Sequence, residues 1–172
     1  MKHRAAVAVL ALAGALALVG QIASLPGERP RSVSPVAITL HQMAYSVAQE
    51  QAARVMVANG CPTTYAALAG REAVNNGLSP RVVAAVMFVE SSCNPDAVSP
   101  AGAIGLLQIN KHVWPHSMID LRSPETNTQI GTRILASYVR AHGLREGLHR
   151  FNGLGENSDV YSTRVLIAAY RR

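Results

Sequence analysis

Residues 80–110 read PRVVAAVMFVESSCNPDAVSPAGAIGLLQIN, and the first part of this stretch decides the fold. Ser79 followed by Pro80 is a helix start, a capping residue with proline at the first helical position. The body that follows, residues 82–89, contains nothing polar, which predicts a helix buried in an interior. Glu90 stands in its last turn, and Asn94-Pro95 ends the pattern. A helix of this kind needs other helices around it, and the flanking sequence provides them. Over 38–59, Leu40, Ala44, Val47, Ala48, Ala52, Val55 and Met56 recur at three- and four-residue steps until Gly60-Cys61-Pro62 stops them. Further helices are predicted over 65–74, over 126–141 with Ile130, Ile134, Leu135 and Tyr138 on one side, and over 160–170. Residues 94–110, rich in proline, glycine and small residues, read as a loop closing on a helical turn over 105–110. No segment alternates with period two and no internal repeat is visible, so the expected class is all-α, or mainly α.

The chain has 172 residues, 49% of them hydrophobic, 15% charged and 5% aromatic. That is enough for one domain and an appendage, and it excludes both a large multidomain enzyme and a disordered chain. The appendage is the N-terminus. Lys2 and Arg4 precede an uncharged run over 5–23, the order of a secretory signal, whose length also approaches the roughly 20 residues of a membrane span. The expected layout is a cleaved signal or retained inner-membrane anchor over 1–23, a flexible spacer over 24–37 and a folded domain over 38–172. The formal charge of +6 falls to +4 without residues 1–23, leaving 14 basic against 10 acidic residues. With no Lys/Arg run and no interleaved aromatics, nucleic-acid binding is not expected. Cys61 and Cys93 are too far apart for a CxxC pair. They are either two buried thiols or a disulfide, and export favours the disulfide.

Only ten carboxylates are available for acid–base chemistry, and Glu90 is the one set among apolar neighbours. Desolvation raises the pKa of such a group and lets it hold a proton near neutral pH, the property of a general acid. The plainer alternative is a glutamate pairing with an arginine, or pointing to solvent from a frayed helix end.

The run that follows bears on this choice. Glu90-Ser91, Asn94-Pro95, Ala97, the turn Ser99-Pro100-Ala101-Gly102, Gly105-Leu106 and Gln108-Ile109 together resemble the catalytic signature of the soluble (SLT), goose-lysozyme-like lytic transglycosylases. Gly77-Leu78-Ser79-Pro80 resembles the loop before that family's catalytic helix. Asn127, Gly131 and Ile134-Leu135 resemble its N-(x)3-G-(x)2-[YI]-L helix, Phe151-Asn152-Gly153 its tyrosine-asparagine pair, and Tyr161 with Val165 its closing helix. The likeness covers about residues 66 to 166. It implies a compact lysozyme-like helical domain with a substrate groove, exported to the periplasm, monomeric, without cofactor or metal, and acting on peptidoglycan glycan strands. It also implies a single catalytic glutamate, Glu90, which protonates the β-1,4 bond between N-acetylmuramic acid and N-acetylglucosamine and then, as a base, helps form a 1,6-anhydro end. Ser91, Ser99, Gly105, Gln108, Asn110, Phe151 and Asn152 are the implied substrate-side residues. Ser99 matches a serine bonded near the glutamate, and Gln108 matches a polar residue facing the sugar. Gly102 and Gly105 suit either positive φ or close approach to a saccharide.

Two positions depart from the family pattern. Phe151 stands where a tyrosine hydroxyl normally approaches the glutamate, and Asn110 where a methionine floors a sugar subsite. A plain peptidoglycan hydrolase and a non-catalytic glycan-binding assembly protein are the alternatives. Asp96 is the only other acid between Glu72 and Asp120 and reads as a turn-forming residue. His112 and His116 flank Trp114-Pro115 and read as loop histidines rather than metal ligands. Trp114 suits stacking on a sugar or packing in the core. The small size fits a local wall-opening enzyme serving an envelope-spanning secretion, conjugation or pilus apparatus, or a phage.

Overall fold

The computed structural model describes residues 34–110, 118–153, 155 and 158–171. The expected signal or anchor, most of the spacer, and His112, Trp114 and His116 lie outside these residues. Among them are seven α-helices and one two-stranded ribbon, a mainly α domain. In chain order the elements are α1 (Pro35–Ala58), a 3-10 turn (Thr63–Tyr65), α2 (Ala66–Asn76), α3 (Pro80–Ser91), β1 (Ala103–Ile104), β2 (Ile109–Asn110), α4 (Met118–Arg122), α5 (Pro124–His142), α6 (Leu144–Phe151) and α7 (Ser158–Tyr170).

Three helices begin on the same dipeptide. Ser34-Pro35, Ser79-Pro80 and Ser123-Pro124 each place serine at the cap and proline at the first turn, and the Ser34 and Ser123 hydroxyls accept from the amides of Ala37 and Thr126. This moves two expected starts. The first helix opens at Pro35 instead of residue 38, taking in the end of the expected spacer, and α5 opens at Pro124 instead of residue 126.

The core forms around α3, where residues 82–87 are all buried, as the uninterrupted apolar run requires. Helices α1 and α2 pack along each other and onto α3, while α7 closes on α3 from the other end of the sequence. Ala52, Met56, Leu135, Leu148 and Val165 are fully buried contributors from α1, α5, α6 and α7. Cys61, just after α1, is bonded to Cys93, just after α3, with an S–S distance of 2.01 Å and Cα atoms 5.7 Å apart.

The structure adds two helices and corrects one turn. Helix α6 escapes a reading by propensity because Gly147 sits in its middle, but a Cβ there would lie 2.8 Å from the Cα of Val139. Helices α5 and α6 come together so closely that only glycine fits. The short α4 has too few residues to show a period. Residues 105–110 do not form a helical turn. Ala103 pairs with Asn110 and Ile104 with Ile109 in an antiparallel ribbon, which Val98 extends by one bridge to Ile104. The positive φ values of Gly105 (81°) and Gln108 (46°) reverse the chain between the strands. No helix among the described residues is long and apolar enough to cross a membrane.

Candidate active site

Glu90 lies at the point where α3 runs out. Its helix stops within two residues because Ser92 and Cys93 both adopt left-handed backbone, at φ 53° and 61°. The Ser92 and Cys93 amides bond back to the Phe88 and Met87 carbonyls, and the disulfide fixes Cys93 from the side. Non-glycine residues adopt this conformation at a cost, and bonds of this kind hold them in it. Glu90 therefore projects from a fixed end instead of a frayed one.

Its carboxyl is partly buried, and burial raises the pKa from the ordinary 4.5 to about 7. Two smaller influences act the other way. The Tyr161 hydroxyl donates to Glu90 Oε1 at 2.6 Å, and the positive charge of Arg164 favours the carboxylate. Tyr161 and Arg164 stand three apart on α7 and so share a face. Tyr161 is itself buried, and burial together with the neighbouring Glu90 pushes its own pKa well up, so it stays a donor. The result is a carboxyl that titrates near neutrality, with one oxygen occupied by a fixed donor.

A tyrosine hydroxyl thus reaches the glutamate from position 161 and not from position 151. Phe151 packs against the edge of the core at the end of α6, and Asn152 is exposed just beyond it. The sequence carried a signal for this. A tyrosine on the buried face of α7, in step with Val165, needs a partner for its hydroxyl, and Glu90 is the polar group at the end of the apolar α3.

The other expected site residues serve the wall beside Glu90. The Ser91 hydroxyl lies 3.0 Å from both the Met87 and Leu106 carbonyls, and so joins α3 to the turn of the ribbon. Ser99 binds Ala103 twice, its hydroxyl accepting from the Ala103 amide and its own amide donating to the Ala103 carbonyl, so its hydrogen bonds close its own turn, while the bond to Glu90 comes from Tyr161. The Gln108 amide donates to the carbonyls of Ala97 (3.2 Å) and Gly105 (3.0 Å) and is half-buried, a brace for the loop. Asn110 donates to the Ala101 carbonyl at 3.3 Å.

Behind the ribbon stands Asn127, fully buried on α5. Its side-chain oxygen accepts from the Leu107 amide, and its NH2 donates to the carbonyls of Ile104 and Leu121, all within 2.9 Å. Every polar atom of this amide is satisfied, and one residue ties together three segments. Gly105 makes room for it. A Cβ at this position would fall on the Asn127 amide and 2.6 Å from the Leu121 carbonyl. Of the two expectations for this glycine, the positive φ is present, and the close neighbour is Asn127. One turn along α5, a Cβ on Gly131 would meet Leu107 at 2.8 Å. Asn127 and Gly131 together form the seat on which the ribbon rests, the first through hydrogen bonds and the second through close approach to Leu107 and Ile109.

Asp96 is exposed and faces Arg122, its Oδ1 3.5 Å from the guanidinium. The local turn expected of it is made by Asn94, whose side chain accepts from the Asp96 amide. No group of three or more metal-binding side chains occurs among the described residues.

This arrangement coincides with a family boundary. Residues 67–170 match the transglycosylase SLT domain. The chain belongs to that family. The matched region of this SLT domain runs from α2 to the end of α7, taking in Glu90, the ribbon, its Asn127 seat and Tyr161, and leaving α1 outside. Among curated proteins, the endo-type membrane-bound lytic murein transglycosylase A of Cronobacter sakazakii is 37% identical over 84 residues, covering 42% of this chain and 40% of that protein. Its counterpart in Citrobacter koseri is 34% identical over 85 residues, covering 42% and 41%. The membrane-bound lytic murein transglycosylase F of Haemophilus influenzae is 39% identical over 56 residues, covering 32% and 12%. The chain thus spans about 40% of the length of the first two relatives.

Proposed function

We propose that this domain is a murein lytic transglycosylase that cleaves the β-1,4 bond between N-acetylmuramic acid and N-acetylglucosamine, with Glu90 as acid and then base. The observation that carries this reading is the Glu90 carboxyl itself, raised to about 7 by burial and held through one oxygen by Tyr161. A group poised near the working pH is effective in both directions of proton transfer.

In the first step protonated Glu90 gives its proton to the glycosidic oxygen as the C1–O4 bond breaks. The carboxylate so formed sits close to the positive charge developing at C1 and keeps the Tyr161 hydrogen bond, which strengthens as the acceptor becomes ionised. It then removes the proton of the muramyl 6-hydroxyl as O6 bonds to C1. The products are a free 4-hydroxyl and a 1,6-anhydro end. Glu90 finishes protonated, no water is consumed, and no cofactor is required by the balance of the reaction.

Retaining and inverting hydrolases need two carboxyl groups about 5–9.5 Å apart. Here Asp96, the nearest acid in sequence, is turned to Arg122, which favours the single-residue route. Export to the periplasm is part of the proposal and rests on the charged and apolar order of residues 2–23. Purified sacculi digested with wild type and with Glu90→Gln, followed by mass analysis, test it. Anhydromuropeptides that disappear in the variant support the reading. Reducing ends formed by water would replace it with a hydrolase, and binding without release with a glycan-binding protein.

A further inference from the structure

Among the described residues, a polar cluster outside the Glu90 site lies between α6 and α7 and centres on His149. The His149 side chain is 14% exposed. Its Nε2 stands 2.9 Å from Ser162 Oγ and 3.1 Å from Asp159 Oδ1, both on α7, and its Nδ1 is 3.3 Å from Glu146 Oε2 on its own helix. Ser162 is fully buried. Its hydroxyl donates to the Asp159 carbonyl at 3.1 Å, and the oxygen accepts from Arg145 at 3.3 Å, which leaves it one lone pair to accept from His149 in the tautomer that carries the proton on Nε2. Arg145 also reaches Thr163, and Arg150 pairs with Glu146 at 2.8 Å.

Ser162 is the next residue after Tyr161. Neighbours on a helix point about 100° apart, so α7 sets Ser162 against α6 and Tyr161 against the end of α3. Whatever fixes the rotation of α7 about its axis fixes the phenol oxygen. A rotation of about 10°, acting through the helix radius and the length of a tyrosine, moves that oxygen by roughly 1.5 Å, enough to break the 2.6 Å bond to Glu90. Apolar packing between α6 and α7 is non-directional, whereas the His149 bonds specify an angle.

We propose that His149 is a positioning residue: by holding Ser162 and Asp159 it sets the rotation of α7 that brings the Tyr161 hydroxyl onto Glu90. The proposal rests on the Glu90–Tyr161 reading of the site and adds a residue that touches neither substrate nor Glu90.

The test uses the full chain, disulfide intact, as wild type, His149→Ala, His149→Gln, Tyr161→Phe and the His149→Ala/Tyr161→Phe double variant. Two readouts are taken, release of anhydromuropeptides from sacculi across pH and titration of the 13C-labelled Glu90 carboxyl by NMR. The Tyr161 bond favours the carboxylate, so Tyr161→Phe raises the Glu90 midpoint and the alkaline limb of kcat/KM. His149→Ala is expected to raise both in the same direction and to lower kcat by up to about 100-fold at unchanged KM, the scale of a misplacement near 1 Å. The double variant is expected to match Tyr161→Phe alone. His149→Gln, whose amide still donates to Ser162, is expected to recover part of the loss. A Glu90 midpoint unmoved in His149→Ala would overturn the proposal, and so would a further rise in the double variant, which would mean that His149 acts by charge. If wild type releases no anhydro products, the proposed function fails, while the NMR titration still decides the role of His149. Ser162→Ala is the second route to the same comparison should His149→Ala not fold.

Discussion

Glu90→Gln should raise the stability of the domain, and by an amount that depends on pH. In the unfolded chain the Glu90 carboxyl titrates near 4.5, and in the folded domain burial raises it to about 7. Below pH 4.5 both states hold the proton and the group costs nothing. Between these values the unfolded chain releases a proton that the folded domain retains, so wild-type stability falls as pH rises; above about 7 the loss is complete. At about 1.4 kcal/mol per pH unit, the interval amounts to about 3 kcal/mol. Glutamine never ionises, and its amide oxygen can accept the Tyr161 bond in place of Glu90 Oε1, so the variant escapes the loss. Other titrating groups are shared and cancel in the difference. Urea unfolding of both proteins from pH 4 to 8.5 should show a variant-minus-wild-type difference that is flat below 4.5, grows through 6 and levels at about 3 kcal/mol above its acid value. A difference independent of pH, or a variant that weakens toward pH 8, would refute the assignment of a raised pKa to Glu90.

Replacing the exposed Arg164 with glutamine removes a charge that favours the Glu90 carboxylate, so the alkaline limb of the pH–activity profile should move up, and added salt should reproduce part of the effect in wild type. Asn127→Leu leaves the Leu107 amide and the Ile104 and Leu121 carbonyls buried without their partner; a loss of about 3 kcal/mol or more is expected in urea, with activity falling as the ribbon loosens. Gly105→Ala combines a positive φ of 81° with a Cβ on Asn127 and the Leu121 carbonyl, and should lower the melting temperature more than the same change at Gly60, where the Cβ meets nothing. Reducing Cys61–Cys93, which closes a 32-residue separation, should cost about 3–4 kcal/mol, and Cys61→Ala/Cys93→Ala should match the reduced wild type.

What could be read in advance follows the range of each interaction. The apolar run over 82–89 and its Ser79-Pro80 start are local patterns, and they located the central helix of the site, whereas the same Ser-Pro signal at 34–35 and 123–124 went unread and left two helix starts late. Glu90 stood out as a charge at the end of an apolar run, and only the resemblance carried by the residues after it gave it a role. Residues 105–110 were misread because their positive φ values at Gly105 and Gln108 are set by the Asn127 seat, more than 15 residues away. Helix α6 was missed because the space around Gly147 belongs to Val139 on α5. Tyr161 was read as part of the closing helix and not as the partner of Glu90, since a buried tyrosine signals only that its hydroxyl needs a partner, and local pattern does not say which of the residues 71 positions away supplies it. Ser99 and Gln108 show the converse. Their places in the motif were clear, and the structure gives them bonds that shape the loop.

That 71-residue separation also orders events in time. Helix α3 and its neighbours α1 and α2 are consecutive in the chain and can assemble early, because contacts close in sequence form at small entropic cost. The hydroxyl that tempers Glu90 arrives only when α7 docks, from the far end of the family-matched region. Until then the acid stands without its partner. The Glu90–Tyr161 pair is thereby complete only once α7, the last helix of the described chain, has packed on α3.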